Sequence, residues 1–219
     1  MVGQFKRIMA YNSQIGQDRW VHTIIGDKRG EGYFVELGAC DGIEFSNSLF
    51  FERALGWKGV CIEPNDQYFA ALQRNRQCHT VHALVSSAEG LVKEFAVDGT
   101  TGGILDTNAG PFTRRKNIVK KTTTTLAAVL DQAGAPAVID YLSLDVEGHE
   151  LEILSTFPFD RYKFRCLTVE HNAPHVGPDM QQKIRQLLEA NGYRYVKGND
   201  DVHRWGHGPI DDFYVCTGV

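Results

Sequence analysis

Apolar side chains come in two rhythms along this chain: short continuous runs bounded by glycine or polar residues, and longer stretches in which they recur every three or four positions. The first is the mark of buried strands, the second of helices with one apolar face. Trp20, Val21, Ile24 and Ile25 recur at helical spacing behind Ser13, which predicts a helix over residues 13–25. Tyr33, Phe34, Val35 and Leu37 make the first strand-like run. It stops at Gly38, and Ser46, Asn47 and Ser48 open a helix that reaches Leu55 and is closed by Gly56 and Trp57. A second strand at 59–63, a helix at 66–75 and a third strand at 79–85 follow. This β-α-β-α-β alternation, with strands apolar almost throughout, predicts a parallel sheet covered on both faces.

Beyond residue 90 the rhythm changes. Residues 91–97 and 102–105 read as short strands around a Gly-Thr-Thr-Gly-Gly turn, and residues 111–124 show no period. Alternation resumes with a helix at 125–132, a strand at 138–146, a helix at 149–156, a strand at 164–170 and a helix at 179–191 ended by Gly192. Residues 193–197 and 213–217 read as an antiparallel pair closing one edge.

Length and composition fit one α/β domain: residues 1–30 as a helical extension and 31–219 as a Rossmann-like core. A net charge of −4 with 23% charged residues gives no footprint for nucleic acid. Apolar runs are too short to span a membrane and the N-terminus lacks a secretory signal, so the expected location is the cytoplasm. Five scattered cysteines without a Cys-x-x-Cys pair read as reduced thiols, Cys40 included. Arg114, Arg115, Lys116, Lys120 and Lys121 cluster in the aperiodic stretch and read as a solvated segment, with an anion site as the alternative.

The first strand end carries the chemistry. Glu36-x-Gly38-x-x-x-Gly42, with Asp41 inside the turn, lacks the three glycines of a dinucleotide fingerprint. Its acids would repel a pyrophosphate but suit a ligand bearing an ammonium and a sulfonium, as S-adenosylmethionine does. Glu63, at the end of the second strand and followed by Pro64 and Asn65, is placed to accept both hydroxyls of an adenosine ribose. An ordinary glycine turn would account for Gly38 and Gly42 alone, but not for paired acidic strand ends.

Two further strands also end in acids: Asp145-Val-Glu147-Gly-His149-Glu150 and Glu170-His171-Asn172. Carboxylates buried side by side take up protons or call for a cation. Asp145 and Glu170 with His171 or Asn172 would form an open, oxygen-rich site for Mg²⁺ or Mn²⁺. Asp145 orienting the cofactor's ammonium without a metal is the equal alternative. His149 is the candidate general base, a helix cap being the other use. Glu147 and Glu150 read as acids complementing a helix dipole. His175, His203 and His207 fall in loops and read as solvated.

In combination, Ser13-Gln14-x-Gly16-Gln17-Asp18, the Phe34–Gly42 run, Ser46-Asn47, the Gly56–Pro64 run and Asp140–Glu150 resemble the FkbM-type S-adenosylmethionine-dependent methyltransferases. The resemblance implies a class I fold, a mostly parallel seven-stranded sheet with an antiparallel last strand and helices on both faces. It also implies O-methylation of a saccharide or natural product. Carried over by motif, Glu36, Gly38, Ala39, Asp41, Gly42, Ser46 and Asn47 would surround the methionine part of the cofactor. Glu63 and Pro64 would meet the ribose, and Ala83 and Leu84 the adenine. Related small-molecule O-methyltransferases bind Mg²⁺ through an acid after their fourth strand and an acid with an acid or amide after the fifth. Asp145 with Glu170 and His171 or Asn172 matches that pattern, while the position three residues after the first acid, where those enzymes often place a base, is Gly148. The resulting expectation is a small-molecule methyltransferase with Asp145, Glu170 and His149 at the reacting centre. N-methylation and a catalytically silent cofactor-binding partner stand as alternatives.

Overall fold

The computed structural model describes residues 10–105, 117–198 and 210–219. Its strands are β1 (Tyr33–Leu37), β2 (Lys58–Ile62), β3 (His79–Val81), β4 (Leu84–Val85), β5 (Val92–Ala96), β6 (Ile118–Thr124), β7 (Val138–Leu144), β8 (Lys163–Glu170), β9 (Tyr193–Gly198) and β10 (Asp211–Cys216). The α-helices are α1 (Gln17–Ile25), α2 (Asp66–Asn75), α3 (Leu126–Gln132), α4 (Glu150–Ser155), α5 (Ala173–Val176) and α6 (Asp179–Ala190). Seven strands form the central sheet in the order β3-β2-β1-β7-β8-β10-β9, and β4-β6-β5 form a smaller second sheet. The pairings β1 with β2 and β7, β2 with β3, and β7 with β8 are parallel; β10 runs antiparallel to both its neighbours, β8 and β9. This is the expected Rossmann-like class I architecture.

Strand parity splits the core in two. Val35, Val60, Leu142 and Leu167 face one apolar layer, while Phe34, Cys61, Tyr141 and Cys166 face the other with Phe51 and Trp57. Glu36 shares the parity of Phe34 and so enters the second layer as a buried acid. Strand order reverses between β1 and β7, and the carboxyl ends of β1, β2, β7 and β8 lie on one edge, which opens a crevice there.

Several expected elements are altered. The first helix starts at Gln17, because Ser13 spends its hydroxyl on the buried Asp18 carboxylate (2.6 Å) instead of capping. The helix expected over 46–55 ends in a π-helical turn, Phe51–Leu55, stopped by the left-handed Gly56. The strand expected over 79–85 breaks at His82 and Ala83: β3 stays beside β2, whereas β4 pairs with β6 through Leu84↔Thr123 and Val85↔Thr124. β6 runs through the stretch read as aperiodic, and residues 102–105 contribute one bridge, Phe95↔Ile104, rather than a strand. Lys121 of that strand donates to Asp66 (2.7 Å). Arg114, Arg115, Lys116, His203 and His207 lie outside the described residues. All five cysteines are free thiols. Among the described residues no helix is long and apolar enough to cross a membrane.

Candidate active site

The loop after β1 is tied into the sheet edge. Gly38 and Ala39 donate their N–H groups to Ile62 O (3.1 and 3.2 Å), and Asp145 N donates to Leu37 O (3.3 Å), so three strand ends meet at one point. Gly38 has φ 78°, and a Cβ there would run into the Asp145 carbonyl oxygen. Only glycine fits both the torsion and the gap.

Behind this loop the Glu36 carboxylate is fully used. Its Oε1 accepts from Asn47 N (2.6 Å), and its Oε2 accepts from Ser46 Oγ (2.9 Å), Ser48 Oγ (2.5 Å) and Arg76 Nη1 (3.4 Å). Ser46 Oγ also accepts from Leu49 N (3.2 Å), the cap that opens the short helix. Asn47 donates Nδ2 to Ser143 Oγ (2.8 Å), while its buried Oδ1 has no hydrogen-bond partner. An orphaned acceptor of this kind costs free energy until something donates to it.

Glu63 ends β2 with its carboxylate held by two backbone donors, Cys40 N (2.9 Å) and Asn65 N (2.7 Å). Burial pushes its pKa up to about 7, with those two donors pulling the other way. Asn65 caps α2 by accepting from Gln67 N and Tyr68 N. Ala83, in the break between β3 and β4, and Leu84 line the same cavity as this acid.

The ends of β7, β8 and β10 form the second half. One oxygen each from Asp145, Glu150 and Glu170 lies within 4.8 Å of the others, and Asp211 reaches the same region, where it accepts from Gln17 Nε2 (3.0 Å). Burial raises the pKa of all four: Glu150 to about 7, Asp211 to about 8, Asp145 upward and Glu170 furthest, the neighbouring acids adding to the rise. The Glu170 Oε2 atom has no hydrogen-bond partner. Glu150 has a second task. It accepts from Val146 N (2.8 Å) and Gly148 N (3.2 and 3.1 Å to its two oxygens), bracing a turn in which Glu147 has φ 59°. His149 is buried beside these acids, and its Nε2 shares a hydrogen bond with Ser86 Oγ (2.9 Å).

These two halves line a single cavity of about 230 Å³, closed on a third side by Phe95 and the 99–104 turn. A family model described as a methyltransferase FkbM domain matches residues 36–195. The chain belongs to the FkbM methyltransferase family. No curated protein matches the sequence. Among solved structures, the fold is similar to precorrin-6y C5,15-methyltransferase from Geobacter metallireducens, with TM-score 0.51 and 13% identity over 97% of this chain and 92% of the other. It is also similar to methyltransferase FkbM from Methylobacillus flagellatus KT, with TM-score 0.51 and 13% identity over 85% of this chain and 44% of the other. Family and fold together make the chain an S-adenosylmethionine-dependent methyltransferase.

In this FkbM methyltransferase Glu36, Gly38, Ala39, Ser46, Asn47, Glu63, Pro64, Ala83, Leu84, Asp145, His149 and Glu170 all line the cavity. Asp41 and Gly42 do not. Asp41 turns its carboxylate back to accept from Ile43 N and Glu44 N (2.8 and 2.9 Å), and Gly42 packs under Leu72 and Arg76. His171 and Asn172 are not brought to the acid group either. The His171 ring accepts from Ala173 N (3.0 Å) and faces Gln181 and Asp212 (3.1 and 3.5 Å), and Asn172, at φ 49°, opens α5. Asp211, Ser86 and Arg76 went unnoticed in the sequence, and Glu150 was read there as a helix-dipole partner.

Proposed function

We propose that this enzyme methylates a hydroxyl group of a small molecule, a saccharide or another natural product, with one divalent cation assisting. The observation that carries the reading is the close group of Asp145, Glu150 and Glu170, of which Asp145 and Glu170 line the cavity, with His149 beside it. A hydroxyl must lose its proton as the methyl group arrives, whereas a neutral amine need not, so a cluster of proton acceptors favours oxygen.

The residues present fit the cofactor. S-adenosylmethionine, when bound, supplies an electrophilic methyl group on a sulfonium. Asn47 Oδ1, buried and without a partner, is an acceptor for the amino group, and Glu63 for the ribose hydroxyls. Ile62, Ala83, Leu84 and Phe95 supply apolar walls for the adenine. The acids likewise fit Mg²⁺ or Mn²⁺. Asp145 and Glu170 would hold it, the free Glu170 Oε2 supplying one ligand, and the ion would lower the pKa of a hydroxyl bound to it. Glu150 keeps the Val146–Gly148 turn in place, and His149, fixed by Ser86, accepts the proton. Five free cysteines suit a reducing compartment, in keeping with the cytoplasm.

The test is transfer of a labelled methyl group to a panel of saccharides and phenolic metabolites, with Mg²⁺ or with a chelator. We expect label in an ether, loss of turnover by about two orders of magnitude in Glu170→Gln and Asp145→Asn, and inhibition by the chelator. Turnover on amines alone, indifferent to both substitutions, would sink the proposal.

A further inference from the structure

Among the charged side chains that the catalytic reading leaves unused, one of the most completely enclosed is an arginine. Arg76 follows α2 with a side chain that has no solvent exposure. Its Nε donates to Glu52 Oε2 (2.6 Å), its Nη1 to Ser46 Oγ (2.9 Å), Gly42 O (3.3 Å) and Glu36 Oε2 (3.4 Å), and its Nη2 to Ser48 Oγ (2.9 Å). The Phe34 ring lies 5.4 Å from the guanidinium carbon.

The two serines show what this arrangement does. Each hydroxyl accepts from Arg76 and, with its own proton, donates to Glu36 Oε2. An Arg donor on one side leaves each hydroxyl a single direction in which to donate, so the guanidinium orients both toward one carboxylate oxygen. The residue between those serines is Asn47, whose N–H is held by the other oxygen of Glu36 and whose Oδ1 lies unpaired at the cavity.

We infer that Arg76 is a positioning residue for the amino-acid end of S-adenosylmethionine, acting through Glu36, Ser46 and Ser48 to fix Asn47. The inference rests on the placement of that end at Asn47. Arg76 touches no cofactor atom itself, and its fork geometry rather than its charge alone does the work.

Two ligands separate this role from a merely structural one. S-adenosylhomocysteine carries the amino acid, while 5′-methylthioadenosine carries the nucleoside and thioether without it. Calorimetric titration of both into Arg76→Met is expected to show the first weakened about tenfold or more, the loss of one or two charge-assisted hydrogen bonds, and the second within about twofold of the parent. Arg76→Lys, which keeps the charge without the fork, should recover only part of the loss. Should Arg76→Met fail to fold, Ser48→Ala removes one orienting hydroxyl and carries the same comparison with a smaller selective loss. Equal weakening of both ligands, or no weakening of either, would overturn the inference. If methylthioadenosine binds the parent protein but homocysteine adds no affinity, placement of the amino group at Asn47 fails first and this role with it.

Discussion

The two halves of the cavity treat their acids in opposite ways. On the β1 side Glu36 is met by a guanidinium, two hydroxyls and a backbone N–H, so both of its oxygens have donors and its charge faces a cation. On the β7–β8–β10 side Asp145, Glu150 and Glu170 crowd together with Asp211 nearby, and one oxygen, Glu170 Oε2, has no donor. A compensated acid is scaffolding that keeps a loop in one shape. An uncompensated group is an unsatisfied demand for protons or a cation, which is what an acceptor site can use.

The largest effect should come from removing the point where the halves meet. Gly38→Ala adds a methyl group against the Asp145 carbonyl at a positive φ, and we expect a loss of about 3 kcal/mol or more in unfolding free energy by denaturant titration. The contrast itself is tested by one chemical change made twice. Glu36→Gln leaves Arg76 short of an anion and should destabilise by about 2–3 kcal/mol, whereas Glu170→Gln relieves repulsion and should stabilise by about 1 kcal/mol. Melting temperatures that move in the same direction for both would erase the distinction drawn here.

A pH experiment sharpens it further. Burial raises the pKa of Glu63 to about 7, and in the proposed placement ribose hydroxyls would bind its ionised form. The protonated form gains below that value, so S-adenosylhomocysteine affinity should fall as pH drops from about 8 to about 6, by several-fold, and Glu63→Gln should flatten the profile. For stability the sign is reversed. An acid with a folded pKa above its unfolded value of about 4 favours the folded state at low pH, and that contribution is lost as pH rises toward about 7–8. The smallest expected effect is a rise of about 2–4 °C in melting temperature on adding millimolar Mg²⁺ or Mn²⁺ at pH 8, diminishing at pH 5 as the acids take up protons. Glu170→Gln should abolish it.

Much of this site was legible because strand ends announce themselves: an apolar run that stops at an acid needs no neighbours to be recognised. Glu36, Glu63, Asp145 and Glu170 were found this way, and so was the alternation of strands and helices along the chain. Features that depend on partners far along the chain were hidden. Arg76 follows a helix in a polar stretch and reads as solvated, although Phe34, Glu36 and Glu52 close over it. The run from His79 to Val85 is apolar enough to be one strand, and only its second partner, β6, divides it. That partner was itself masked by Lys120 and Lys121, whose charges obscured a β-branched strand exposed along much of its length. His171 looked like a ligand by its position, but Asp212, held by Arg185 (2.6 Å) and pulled down to a pKa of about 2 by hydrogen bonds that outweigh its burial, draws the ring away.

The position of β10 has a consequence for assembly. This strand is late in the chain but interior in the sheet, between β8 and β9, and Asp211 at its start meets Gln17, 194 residues earlier, in the buried acid group. Such long-range pairing forms slowly, after local contacts. On a ribosome the residues proposed to meet the nucleoside, Glu63, Ala83, Leu84 and Phe95, emerge well before Asp211. The acid group is therefore the last part of the cavity to be completed.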